Sequence, residues 1–337
     1  VSGSSEREGH LRLDFVGATE MTYLYVGKGR LGPLARAPEG RIEISCKRAL
    51  SVDADRERQL IAASGTIEAE LDDNVALRCE QFTLAARKLK EGEEAEQAIE
   101  AFSATGGVKV TDRTLDTEVS GDSIIREEGR TELVGSPAVV RAGGDRSVSA
   151  KRLSYDDGGN FEASGTVRIV SPLDEKAGAG TWTIVCDRAE GHLPEEGPPT
   201  KVTAFGPIFA EGPDGLRIEG SLFEYEARTS KALLTGNPAR FRHGTDLDLD
   251  AAGFEIDVDL ENGTARSAWT RGKARIQVNP KGEGKLVEGL ADLDFHRLHA
   301  LLAGPAHYDG KSLRVEKGGK LAAFDEEGGL LVEAEVG

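Results

Sequence analysis

The stretch Ala163-Ser164-Gly165-Thr166-Val167-Arg168-Ile169 decides how the rest of the chain is read. Two small residues and a glycine lead into apolar residues at alternate positions. The phrase also stands at Ala63-Ser64-Gly65-Thr66-Ile67 and Ala104-Thr105-Gly106-Gly107-Val108, more loosely at Ala204-Phe205-Gly206-Pro207-Ile208, and worn around Gly272. Alternation with period two is the mark of a strand with one buried face. A glycine inside such a strand marks a bulge or a close backbone approach.

A second phrase alternates with the first: Leu31-Gly32-Pro33, Val134-Gly135-Ser136-Pro137-Ala138, Leu234-Thr235-Gly236-Asn237-Pro238-Ala239 and Ala303-Gly304-Pro305-Ala306. The offsets agree. Gly65 and Gly165 are 100 residues apart, Gly107 and Gly206 are 99, Gly121 and Gly220 are 99, and Pro137 and Pro238 are 101. A unit of roughly 100 residues therefore recurs, each holding two smaller repeats. This divides the chain into a first partial repeat over 1–60, full units over 61–162 and 163–280, and a partial repeat over 281–337. Turns are expected at Asp72-Asp73-Asn74, Asp157-Gly158-Gly159-Asn160, Glu261-Asn262-Gly263-Thr264 and Glu326-Glu327-Gly328-Gly329. Lys90 to Phe102 reads as a charged helical insertion or a long charged hairpin. Asp174 to Gly180 and His192 to Thr200 read as longer loops.

Composition narrows the function classes. The 337 residues are 38% hydrophobic and 30% charged, so wholesale disorder is excluded. Forty-two Lys and Arg against 59 Asp and Glu leave a net charge of −17. That is a poor balance for binding nucleic acid, whose affinity comes from cations on phosphates. No apolar run reaches the ~18 residues of a membrane-spanning helix. The chain opens Val1-Ser2-Gly3-Ser4 without Met and reads as a processed or excised form.

Candidate chemistry is sparse. Cys46, Cys79 and Cys186 form no CxxC pair and share apolar faces with Ile44, Leu77 and Ile184, as small hydrophobes do. His296, His299 and His307 invite a metal reading, but positions three apart on a strand face opposite ways. Asp246, Asp248 and Asp250, then Asp257 and Asp259, lack the glycine and closing glutamate of a calcium loop and read as a solvent face. No nucleophile elbow or P-loop occurs. No cofactor is implied. What remains is the apolar face itself, with Val108, Val110, Leu153, Tyr155, Val167, Ile169, Ile208, Phe223 and Tyr225 as candidate lining of a groove. Lys47-Arg48, Lys151-Arg152 and Arg240 with Arg242 are either rim cations or ordinary solvated residues.

The repeats resemble the periplasmic lipopolysaccharide-transport proteins of the organic-solvent-tolerance (OstA-like) type. The family pattern is a small residue, Gly and an apolar residue, then Gly-Asp, a Tyr-Asp, and a closing Leu-x-Gly-x-Pro. One copy here runs Gly107-Val108, Gly121-Asp122, Leu133, Gly135, Pro137. The next runs Gly206, Ile208, Gly220-Ser221, Tyr225-Glu226, Leu234 and Gly236-Asn237-Pro238-Ala239. Tyr155-Asp156 before Ala163-Ser164-Gly165 is the junction between them. The first copy departs from the pattern: Gly121 is followed by Ile124-Ile125-Arg126, without the Tyr-Asp. The resemblance covers roughly residues 40–280.

It implies an all-β fold, an elongated V-shaped jelly roll of stacked antiparallel hairpins (a β-taco) built from tandem repeats. It further implies a non-enzymatic periplasmic carrier that holds lipopolysaccharide or a similar lipid by its acyl chains. Its partners would be other bridge subunits, or further copies stacked edge to edge, with no nucleic acid. The alternatives are a structural or adhesive β-solenoid that binds proteins through its edges, and a β-helix enzyme acting on polysaccharide.

Overall fold

The computed structural model describes residues 2–4, 11–25, 29–30, 36–37, 40–54, 58–71, 74–87, 99–143, 146–172, 181–193, 200–212, 215–244, 247–259, 264–279, 297–308, 313–315 and 318–336. Among them the regular structure is all β, and every described strand pairing is antiparallel. The chain divides into two compact units, Val1–Gly165 and Thr166–Gly337.

The first unit starts with β1 (Ser2–Ser4), β2 (Leu11–Val16), β3 (Thr19–Tyr25), β4 (Gly29–Arg30) and β5 (Arg36–Ala37). It continues with β6 (Gly40–Cys46), β7 (Ala49–Ala54), β8 (Arg58–Leu71), β9 (Val75–Arg87) and β10 (Ile99–Asp112). Then come β11 (Thr117–Glu127), β12 (Arg130–Ala142), β13 (Arg146–Asp156) and β14 (Asn160–Pro172), within which the unit boundary falls. The second unit holds β15 (Thr181–His192), β16 (Lys201–Glu211), β17 (Leu216–Glu226), β18 (Lys231–His243) and β19 (Leu247–Asp259). It ends with β20 (Thr264–Thr270), β21 (Ala274–Val278), β22 (Arg297–Leu302), β23 (Ala306–Tyr308), β24 (Leu313–Val315), β25 (Gly319–Phe324) and β26 (Leu330–Val336).

The glycine phrases sit where the ladders slip. In the first unit the register shifts between Ser64 and Ile67, Thr105 and Val108, Ser120 and Ser123, and Val134 and Ala138. In the second it shifts between Val185 and Arg188, Phe205 and Ile208, Glu219 and Leu222, and Thr235 and Ala239. Bulges on successive strands therefore lie side by side and split each long strand into two halves. Gly206 shows why glycine is needed: its φ is +90°, and an added Cβ would stand 2.7 Å from the Cβ of Asp187.

The two halves end on different neighbours. The Gln59–Ser64 side of β8 pairs β7, while Ile67–Leu71 pairs β6. In the second unit, Leu247–Ala251 of β19 pairs β21, while Phe254–Asp259 pairs β20. Each unit is thus a jelly-roll-like stack of hairpins whose long strands each serve two ladders. The turns at Asp157–Asn160 and Glu326–Gly329 form as expected: Gly159 N donates to Asp156 O at 3.0 Å and Gly328 N to Asp325 O at 3.2 Å. The expected turns at 72–73 and 261–263, the Leu31-Gly32-Pro33 phrase, the charged stretch 90–98, and the loop residues 174–180 and 194–199 lie outside the described residues.

Candidate functional site

Register aligns the inward side chains in rows. In the first unit one row runs Phe15, Leu50, Ala63, Phe82, Ala104, Ile124, Leu133, Leu153 across eight strands. Across the bulges a second runs Met21, Ile44, Ala69, Leu77, Val110, Val119, Val140, Val148. In the second unit a row runs Ile184, Ala210, Ile218, Phe241, Leu249, Ile276, Ala300, Leu321. Its counterpart runs Val202, Tyr225, Ala232, Ile256, Ala268, Tyr308. Each unit buries its own cluster along these rows. Stacking gives every hairpin an apolar neighbour that it lacks alone.

The nine candidate lining residues fall into two groups. Val108, Val167, Ile208 and Tyr225 are buried, Val167 completely. Val108 and Ile208 lie at the bulges, Tyr225 lies between Val202 and Ala232, and burial pushes its phenol up in pKa. Val110, Leu153 and Tyr155 of the first unit, and Ile169 and Phe223 of the second, are only half-buried. Val148 and Phe161 share that state in the first unit, as do Trp182, Ile184, Val202 and Leu216 in the second. By alternation Arg168 and Glu224 lie on the other face, and both are exposed.

Sequence reasoning assigned Arg126 no place, and it turns out to face inward. It stands in a row between Phe102 and Thr131, with Tyr155 next. Its side chain is 10% exposed; Nη2 pairs with Asp157 Oδ1 at 2.9 Å, and Nη1 donates to Thr131 Oγ1 at 3.2 Å. Arg126 stands 99 residues before Tyr225 and so fills the place the repeat gives to a tyrosine. The missing Tyr-Asp after Gly121 was the signal that could have revealed it.

The basic pairs are not on the inner face. Lys47, Arg48, Lys151 and Arg152 are exposed, and Arg152 pairs with Glu132 at 3.4 Å. Arg240 Nε lies 3.3 Å from Asp250 Oδ1, and Arg242 Nε 3.0 Å from Asp248 Oδ2. Asp248 and Asp250 thus hold arginines, and Asp257 accepts from Ser267 Oγ at 2.7 Å. His307 stacks on Trp269 with ring centroids 3.9 Å apart, and His299 packs edge-on against Phe324. His10, His296 and Asp246 lie outside the described residues. Among the described residues no three His, Cys, Asp or Glu side chains gather as a metal requires. Cys46, Cys79 and Cys186 are free and buried; burial pushes the Cys79 and Cys186 thiols up to about 11 and raises Cys46 as well.

Neither a family model nor a curated protein matches the chain.

Proposed function

We propose that the protein is a non-enzymatic carrier of an acylated envelope lipid, lipopolysaccharide or a relative, working in the periplasm as OstA-like proteins do. The acyl chains lie along the inner rows, and the open strand edges receive other bridge subunits or further copies. One observation supports the reading above others: large apolar side chains on the inner face, Leu153 and Tyr155 in one unit and Ile169 and Phe223 in the other, stay half-buried. Inner apolar surface left partly uncovered is surface a hydrocarbon chain can cover, at about 0.8 kcal/mol per methylene. Such binding needs no exact polar geometry, which suits passage along a row. Val108, Val167, Ile208 and Tyr225 then serve as fill beneath the lining.

A photo-crosslinker at Ile169 or Phe223 is expected to capture lipid in a loaded sample, and one at Arg168 or Glu224 is not. Equal capture from both faces, or none from the inner one, refutes the carrier reading. The second reading, a structural stack that binds proteins at its edges, is favoured by Leu234, Leu249, Phe254 and Ile276, which are at most 1% exposed. An interior filled throughout would give no capture and no co-purified lipid by native mass spectrometry.

A further inference from the structure

The outer face of the second unit carries an open groove of about 730 Å³ that no part of the lipid reading uses. It crosses β19, β21, β22 and β25; the exposed Arg275, Leu301 and Lys320 line it, the buried Ala251, Ala274 and Leu302 border it, and Asp250 is the acid in its lining. Its centre is Leu301, which is 56% exposed. Register puts Arg275 on one side of Leu301 and Lys320 on the other. These two Cα positions are two strands apart, roughly 9–10 Å. Lys273, in the bend just before β21 and two residues from Arg275, is a third cation about 7 Å from it. Ala252 and Ala303 line the groove between them, and their short side chains leave it open.

Two of the three cations are without an ion pair among the described residues, and the acid in the lining, Asp250, is engaged elsewhere. Lys273 and Arg275 form no ion pair among the described residues, unlike most arginines of the outer face. Asp250, opposite Arg275 in register, has its Oδ1 on Arg240 at 3.3 Å. Lys320 has only Glu335, at 3.9 Å, with both side chains more than two-thirds exposed. Three cations around an exposed leucine form a positive patch with an apolar centre on a chain of net charge −17. An inorganic anion would leave the leucine in water, and a neutral lipid would leave the cations without a partner.

We propose that this groove binds an anionic amphiphile: a phosphate or carboxylate held between Lys273, Arg275 and Lys320, with the adjoining hydrocarbon lying on Leu301. The proposal is independent of the interior reading, because the two surfaces are opposite faces of the same strands.

The test is titration calorimetry of the full chain with dodecyl phosphate below its micelle concentration, at low and at about 0.5 M salt. The expected result is a salt-sensitive binding component. It weakens at least about tenfold in a Lys273→Gln/Arg275→Gln/Lys320→Gln protein and similarly in Leu301→Ser. It survives in Phe223→Asp, which disables only the interior, provided circular dichroism shows that variant folded. Inorganic phosphate and dodecyl maltoside are expected to compete poorly. Unchanged binding in the triple variant overturns the proposal, as does loss in folded Phe223→Asp alone. So does inorganic phosphate or an acidic peptide binding as tightly as dodecyl phosphate, since the apolar centre would then contribute nothing. Failure here leaves the crosslinking result at Ile169 and Phe223 standing, and the reverse also holds.

Discussion

Replacing Gly206 by alanine tests whether the stacked bulges hold the fold. Two costs add at this position. A residue with a Cβ at φ +90° sits outside its comfortable backbone region, at about 1–2 kcal/mol. The new methyl would also stand 2.7 Å from both Cβ and Cγ of Asp187, which belong to the root of that side chain and not its flexible end. Overpacking of this kind costs about 1–3 kcal/mol. Gly272, in the same unit, has φ +74° and nothing within 4 Å of an added Cβ, so Gly272→Ala carries the backbone cost alone. At about 2–4 °C per kcal/mol for a unit of this size, Gly272→Ala should lower Tm by about 2–8 °C and Gly206→Ala by about 4–20 °C, the larger drop falling at Gly206. Differential scanning calorimetry of the two proteins beside the parent gives the comparison. Equal drops at both glycines, or a Gly206→Ala protein within about 2 °C of the parent, would refute the claim that the bulge fixes Gly206 against Asp187.

Two further outcomes are expected. Arg126→Tyr, which installs the residue found 99 positions later, should match or exceed the parent in urea midpoint, because an inward ion pair gives little net stability. Asp157→Asn strands the guanidinium with Thr131 alone and should cost about 1–2 kcal/mol, discounted because Asp157 is 63% exposed. The thiols of Cys79 and Cys186 are held protonated by burial, so their folded pKa exceeds the ordinary 9.0. Their contribution to stability is full below pH 9 and fades as pH rises toward about 11. Urea melts across that window should show a steeper alkaline loss in the parent than in Cys79→Ala/Cys186→Ala, and native labelling of both thiols at pH 8 should be slow.

The all-β class was legible because its signals are local. Val167 and Ile169 flank Arg168 as a strand requires, and Gly65, Gly107, Gly121 and Gly206 mark the bulges whatever lies around them. The division of candidates into fill and lining was not legible. Val108 and Val110 are indistinguishable by alternation, yet Val108 lies beside the bulge at 1% exposure while Val110, two residues further from it, stands half-buried. That difference depends on which strands stack and in what register, which no window of a few residues contains. Nor could Arg126 be placed by residue type, since arginine on a strand is ordinarily solvated. Only the repeat offset, which sets it in the tyrosine position, carries the information. Of the short strands that finish the second unit, the one holding His299 was legible by alternation, whereas β23 and β24, at three residues each, are too brief for it.

The outer face of the second unit shows why its groove is positive on an acidic chain. Reading across neighbouring strands, Glu219, Arg240 and Asp250 alternate in sign, and Arg240 reaches both acids at 3.4 and 3.3 Å. A ladder of alternating charges neutralises itself, because each cross-strand neighbour supplies the opposing sign. Beyond Asp250 the alternation fails. Arg275, Leu301 and Lys320 follow in successive positions with no acid between them, and Glu335 arrives only at the last strand. Where the ladder breaks, Arg275 has no cross-strand acid but Asp250, which Arg240 already holds, so the face is left able to take a bound anion. The leucine occupying the place of the missing acid makes an anion that carries its own hydrocarbon the better fit.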